Sequence, residues 1–434
     1  MAAPIADVRF VRHNRNGAEE RYVSSTLQEK LRAFDPELPL ERARTIPASW
    51  YFDPELYATE RERVFGRSWM AAARVDQLTK PGSFVTADIA GEPVLVVSDS
   101  DGILRAFHNV CRHRAARVVT EAEGCATRLR CPYHGWTYDL GGRLRGTPEF
   151  EGVADFRRED NGLVPLSVAT WGPLAFVHLL LPSPPYSGER GGGEGVGRST
   201  PSPPTPLPRS GGEGSAAEKL RAFLTPLPEQ TASLELEKLR FVERREYDLA
   251  CNWKVFVDNY LDGGYHVNYV HPGLAGVLDY SQYRTDVYDW TSVQSSPIKP
   301  APGAEGSVRK VRSGRAYYWW VFPNLMINLY QGIMDTNLVL PLGPERCKVI
   351  FDFYFAETEG AAAKQFIADS IDVAHQVQLE DVRISEDVQK GLASRSYDTG
   401  RFSVRREAAG YHFHRLLARM LVDGVDRPGD PRPR

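Results

Sequence analysis

The chain has 434 residues, an apolar fraction of 42% and a formal net charge of −3. That length exceeds one ordinary domain, and the apolar share is enough for real cores. Near-neutral charge excludes a nucleic-acid footprint or a basic membrane surface, and no run of 18 apolar residues marks a transmembrane helix.

Residues 1–45 read as a polar arm with a helix over Ser25–Phe34, and the first residues lack an apolar core of signal-peptide length. From 46 to 181 short apolar runs alternate with Gly and Pro. FVTADIAGEPVLVV is a hairpin-like stretch, and Gly141-Gly142 marks another turn. This is the pattern of a compact all-β domain.

Inside it lie Cys111-Arg112-His113 and Cys131-Pro132-Tyr133-His134. Two thiolates and two imidazoles spaced as C-x-H…C-x2-H suit a [2Fe–2S] centre with unequal irons. The cysteines hold one iron and the histidines the other, which raises the reduction potential. A zinc site would group Cys with Cys and His with His in sequence. Here each cluster contributes one of each. Cys125 lies between them but lacks a His at either spacing. The five cysteines show no disulfide framework, so a reducing cytoplasm is expected.

Residues 182–215 are dominated by Gly, Pro and Ser and bury nothing, so a disordered insertion is expected. A second domain is expected over 216–425. Tyr317–Tyr330, Thr336–Leu342 and Cys347–Phe355 read as strands of one sheet. Residues 361–392 and 403–421 have helical spacing. The expected fold class is α+β: an N-terminal all-β domain, then an antiparallel sheet packed by long C-terminal helices.

The segment NWKVFVDNYLDGGYHVNYVHP carries His266 and His271, five apart. Such residues are not neighbours on a straight helix, so the helix must end or loosen between them. Two neutral imidazoles and one carboxylate form the facial triad of non-haem Fe(II) oxygenases. Glu380, Asp381, Glu386 and Asp387 offer the carboxylate. Asp381 lies four after Val377 and seven before Val388, on the apolar face, and is the choice over Glu380.

RAFHNVCRHR (105–114) and RCPYHGWTY (130–138) resemble the Rieske domain of ring-hydroxylating oxygenases. Respiratory Rieske proteins carry two further cysteines, where this chain has Ala116 and Tyr133, so the oxygenase branch is the better match. Over roughly residues 46–420 the chain resembles the α subunit of Rieske non-haem iron oxygenases, and most resembles the choline monooxygenases. VFVDNYLDGGYHV (255–267), MDTNLVLPLG (334–343) and LEDVRISEDVQKGLASRSYDTGR (379–401) carry that resemblance.

The resemblance implies a [2Fe–2S] cluster on Cys111, His113, Cys131 and His134. It implies Fe(II) on His266, His271 and Asp381, with Asn259 beside the iron. It further implies O2 as a substrate, electrons from a separate NAD(P)H-dependent reductase or ferredoxin, and a homotrimer. Many ring dihydroxylases have an acidic residue three before the first iron histidine. Here that place is Gly263, and Asp262 is the nearest carboxylate. Choline or a related methylated amine is the favoured substrate, with Tyr317, Tyr318, Trp319, Trp320, Trp290 and Tyr330 as candidate walls of a cation cage. Alternation puts Tyr317 and Trp319 on one sheet face and Tyr318 and Trp320 on the other, so at most one pair lines a pocket. Oxygenation of an aromatic ring, demethylation and a non-catalytic electron carrier are the alternatives. About three irons per chain distinguish the enzyme from the carrier's two.

Overall fold

A computed structural model describes residues 25–180, 212–271, 278–299 and 314–422. Residues 182–211 of the Gly/Pro-rich stretch lie outside the described residues. Its last four residues do not follow the disordered expectation, because they open the helix Gly212–Leu224. The helix-forming run AAEKLRAFL supplies the buried Leu220, Phe223 and Leu224, and the helix extends back from it.

The first half is built on a seven-stranded antiparallel sheet. In spatial order its strands are Trp69–Arg74, Leu174–His178, Pro165–Trp171, Leu104–His108, Glu92–Ser98, Ser83–Ile89 and Glu123–Cys125. The hairpin expected in FVTADIAGEPVLVV pairs Phe84 with Val97 through Ile89 with Glu92. Ala90 and Gly91 both have positive φ, 51° and 93°, as a two-residue hairpin turn matching strand twist requires. A three-stranded sheet of Leu129–Arg130, Thr137–Tyr138 and Leu144–Gly146 stands beside it.

The second half carries another seven-stranded antiparallel sheet. Arg240–Leu249 is its edge, followed by Arg346–Phe355, Ile333–Gly343, Leu325–Tyr330, Arg315–Val321, Thr291–Pro297 and Arg284–Val287. The stretch read as one strand over Tyr317–Tyr330 is two, broken at Phe322–Asn324. The edge strand RFVERREYDL was illegible because its charged residues hide an alternation of half-buried and exposed positions. Helices Gly360–Leu392 and Ala408–Val422 complete the α+β arrangement.

The arm is less polar in space than in sequence. Leu27, Leu31 and Phe34, spaced by four and three, are buried, and Phe34 meets the rings of Trp50 and His414 edge-on. Full burial of each such side chain contributes about 1.5–3 kcal/mol. One buried apolar cluster runs through the arm, the first sheet, the second sheet and the C-terminal helices. A smaller cluster surrounds Cys111 and Cys131.

Helix Trp253–Tyr260 leads directly into the segment that carries His266 and His271. The Asn252 side chain caps it by accepting from the Lys254 amide at 2.9 Å. Glu60, from helix Pro54–Arg63, anchors it from below. One Glu60 oxygen accepts from Lys254 Nζ at 2.6 Å and the other from Trp253 Nε1 at 2.8 Å. Asp258, on the same helix, accepts from the Tyr51 hydroxyl at 2.6 Å and lies 2.8 Å from His414 Nε2. The helix thus leaves its C-terminal end in a fixed place.

Candidate metal centres

Two loops of the first half share one backbone pattern. Cys111 N–H donates to the Ala116 carbonyl at 2.8 Å, and Cys131 N–H to the Trp136 carbonyl at the same distance. In each loop the residue four on, Ala115 or Gly135, closes back on the cysteine carbonyl and has a positive φ, 60° and 71°. The loops therefore face one another. Cys111 and Cys131 lie inside, while His113 and His134 stand at the surface with Nδ1 atoms 3.1 Å apart. Tyr138 places its hydroxyl 3.4 Å from Cys111 Sγ and also accepts from the Arg112 amide. Burial pushes the Cys131 thiol up, so a thiolate there calls for a cationic partner. Buried sulfur donors below and exposed imidazole donors above fit a [2Fe–2S] cluster with a solvent-facing iron. Cys125 is exposed on the edge strand of the large sheet.

The second centre lies past the end of helix Trp253–Tyr260. Gly263 and Gly264, both at positive φ, turn the chain into the one-turn helix Val267–Val270. His266 caps the start of that turn and His271 its end, so one helical turn separates the pair and stops at His271, where the two rings meet edge to face. Their Nε2 atoms are 3.1 Å apart. Asp381, on the long helix, brings Oδ1 to 3.3 Å from His271 Nε2 and 3.8 Å from His266 Nε2. Three ligands about 2.1 Å from one metal, at right angles, are about 3 Å apart. The triangle fits a divalent cation bound on one face.

Each candidate ligand is held from behind. Asp262 lies 2.6 Å from His266 Nδ1, and Glu380 2.7 Å from His271 Nδ1. Asn259 Nδ2 donates to Asp381 Oδ1 at 2.8 Å. Carboxylates on Nδ1 fix the tautomer that leaves Nε2 free to bind metal. Burial pushes the His271 imidazole down, but Asp381 and Glu380 outweigh it and hold its pKa above the ordinary value. The site favours positive charge.

Glu380 and Asp381 therefore reach opposite edges of the same ring, and Asp381 is on the side that faces His266 Nε2. Gly263 also has a physical reason. A Cβ there would lie 2.1 Å from the Arg406 carbonyl oxygen, so an acidic residue cannot occupy this position on this backbone. Asp262 instead turns back, accepts from the amides of Tyr265 and His266, and reaches the ring.

A cavity of about 150 Å³ opens beside His266, His271 and Asp381. Of the six aromatic candidates, Tyr318 and Tyr330 line it. Trp320 shares the face of Tyr318 but is packed among Phe322, His412 and Phe413. Trp319 stacks on Tyr288 on the opposite face, Trp290 packs between Phe223 and Phe322, and Tyr317 joins the main core. Sequence reasoning missed Tyr260, Tyr283 and Asp335, which also line the cavity. The available signal for Asp335 was a single acid inside the apolar strand IMDTNLVLPLG.

Residues 68–157 match the Rieske [2Fe-2S] domain, and residues 236–423 match the ring hydroxylating alpha subunit (catalytic domain). Choline monooxygenase, chloroplastic, of Arabidopsis thaliana is 38% identical over 94% of this chain and 90% of its own length. The chain belongs to the Rieske non-haem iron oxygenases. The carnitine monooxygenase oxygenase subunit of Escherichia coli strain K12 is 29% identical, over 88% of this chain and 95% of its own. Among solved structures, a quaternary ammonium Rieske monooxygenase superposes with a TM-score of 0.70 at 24% identity, over 88% and 98% of the two chains. Naphthalene 1,2-dioxygenase from Rhodococcus sp. gives 0.68 at 20% identity, over 92% and 99%. These two likenesses show the fold. This Rieske oxygenase is a non-haem iron monooxygenase whose cofactors are a [2Fe–2S] cluster and a mononuclear iron. No helix among the described residues is long and apolar enough to cross a membrane.

Proposed function

We propose that this Rieske oxygenase hydroxylates a small quaternary or methylated amine, choline above all. The observation that carries the reading is the cavity itself. Tyrosine rings line it beside the His266–His271–Asp381 triangle, and it is smaller than the roughly 300–1,000 Å³ of drug-sized ligand sites. Tyrosine faces attract an ammonium ion that cannot donate a hydrogen bond. The relatives named for choline and carnitine agree with this class.

The roles of the residues follow from their contacts. His266, His271 and Asp381 hold the iron, and Cys111, His113, Cys131 and His134 hold the cluster. When bound, the two groups supply electron delivery and the reduction of O2. Asp262 and Glu380 fix the imidazoles, and Asn259 holds the Asp381 carboxylate. The test is O2 uptake by the reconstituted enzyme, with a reductase supplied, over choline, carnitine and aromatic acids. Choline-dependent uptake coupled to product is the expected result. Uptake with an aromatic acid and none with choline would move the substrate to the ring-hydroxylating class.

The cluster histidines stand at the surface, and Asp262 is partly exposed behind His266. One structural relative, a quaternary ammonium Rieske monooxygenase, is described as transferring electrons between subunits. We propose the same here, in a homotrimer, with Asp262 as the carboxylate between His266 and a neighbour's cluster. Cys131→Ala and Asp381→Ala chains are each expected to be inactive alone. Co-expressed, they should regain activity, since one supplies the iron and the other the cluster. Adding Asp262→Asn to the Cys131→Ala chain should reduce the regained rate by about 10–100-fold. A mixture with no activity above either parent rejects the inter-subunit route.

A further inference from the structure

Two side-chain amides on the cavity wall are left unmet. Asn337, on strand Ile333–Gly343, and Gln378, on the long helix Gly360–Leu392, both line the cavity. They are 3% and 1% exposed. Asn328 donates Nδ2 to Asp335 Oδ2 at 2.6 Å and to Asn337 Oδ1 at 3.3 Å. That donor fixes the Asn337 amide with Nδ2 as its free end, and Nδ2 has no hydrogen-bond partner among the described residues. Gln378 has none at either Nε2 or Oε1. A buried amide without a partner is costly, and each one calls for an occupant that satisfies it.

Position and chemistry narrow that occupant. Gln378 precedes Asp381 by three residues, so the two share a helix face and lie about 4.5 Å apart along its axis. Val373, Ala374 and Val377 supply the apolar part of that wall. A quaternary ammonium has neither an N–H nor a lone pair, so it satisfies neither amide. The tyrosine rings serve that end of the substrate. The amides must serve the other end. A hydroxyl both donates and accepts, which matches Gln378 Oε1 and Asn337 Nδ2. A carboxylate only accepts, and the described lining residues include no Lys or Arg to offset its buried charge.

We infer that Gln378 and Asn337 bind the hydroxyl of a quaternary amino alcohol and so set the preference of this site for choline over the same amine without its hydroxyl. The hydroxyl donates to Gln378 Oε1 and accepts from Asn337 Nδ2, on the helix wall that carries Asp381. The inference rests on the quaternary-amine reading above and deepens it by naming the group recognised. A site built to hydrogen-bond a hydroxyl rejects the analogue lacking it, because its buried polar groups then stay unpaired.

The experiment is calorimetric titration of the anaerobic holoenzyme with three probes. They are choline, ethyltrimethylammonium (choline with hydrogen in place of the hydroxyl) and γ-butyrobetaine, which has a carboxylate and no hydroxyl. Wild type is expected to bind choline at least about 30-fold tighter than ethyltrimethylammonium. Gln378→Met, similar in size but without the amide, should cut that preference at least about tenfold and leave ethyltrimethylammonium affinity within about threefold. Asn337→Leu should cut it at least about threefold. Chemical denaturation of the ligand-free proteins adds a second readout. Gln378→Met should keep or raise the midpoint, because it removes an unpaired buried amide. Cluster absorption and iron content report that each variant is folded. Should Gln378→Met not fold, the wild-type ratio and Asn337→Leu still decide. Equal binding of choline and ethyltrimethylammonium by wild type overturns the inference and leaves the quaternary-amine reading intact. A preference unchanged in both variants overturns it too, and a lowered midpoint would then mark Gln378 as structural. A wild type that prefers γ-butyrobetaine to choline, and loses that preference in Gln378→Met, assigns the amides to a carboxylate and overturns the hydroxyl assignment. A wild type that binds none of the three probes overturns the quaternary-amine reading as well.

Discussion

Asp381→Ala is expected to abolish oxygenation while leaving the Rieske cluster intact. Asp381 Oδ1 is the anionic corner of a triangle whose other corners are neutral imidazole nitrogens 3.1 Å apart. A hard carboxylate supplies much of the charge compensation for Fe(II), and two imidazoles alone hold it weakly. The variant should lose the third iron of each chain, keep its cluster absorption and still accept electrons. Glu380→Ala should do less. That side chain lies 2.7 Å from the far nitrogen of His271, so its loss frees the ring without removing a ligand. Loss of such a partner typically costs 10–100-fold in metal affinity. Iron analysis and substrate-dependent O2 uptake on the two variants check this. An Asp381→Ala protein that keeps three irons while Glu380→Ala loses one would reverse the assignment.

Breaking the Glu60–Lys254 pair is expected to destabilise the fold by about 3–5 kcal/mol. Both side chains are 0% exposed and 2.6 Å apart. Burial pushes the Lys254 ammonium down from its ordinary pKa, with Glu60 opposing that shift. Lys254→Met leaves a buried carboxylate with its charge uncompensated. Glu60→Gln leaves a buried ammonium while its amide oxygen can still accept from Trp253 Nε1. The double variant Glu60→Gln/Lys254→Met removes both charges and keeps an amide oxygen for Trp253. It should recover most of the loss, because well-packed neutral replacements of buried pairs are often near neutral. Chemical denaturation of the four proteins, followed by tryptophan fluorescence, measures the cycle. Additive effects of the single changes would show that the two charges do not compensate each other. The consequence reaches the metal site, because this pair seats the helix that carries Asn259 and leads into Asp262 and His266.

The sequence determined the chemistry that depends on residue type and local spacing. Mixed Cys/His clusters point to one kind of iron–sulfur centre, since few other groups use that donor set. A His pair five apart demanded a helix that ends or loosens before the second, and the one-turn helix Val267–Val270 does end at His271. Period 3.6 in residues 361–392 gave one long helix, and period 2 gave several strands, because both patterns are written in consecutive residues.

What only tertiary structure decided depends on residues far apart in the chain. Helical phase could favour Asp381 over Glu380, but it could not show that the two carboxylates flank one imidazole, 109 and 110 residues away from it in sequence. The acid-to-glycine change at 263 looked like a missing bridge. Its cause is the Arg406 carbonyl, which leaves no room for a Cβ. The aromatic run 317–320 looked like one wall, yet pleating and the helix above it leave Tyr318 alone of the four in the cavity. Tyr260, Tyr283 and Asp335 join it from a helix end, a loop and another strand, and Asp335 shares the face of Tyr318 only once strand register is set.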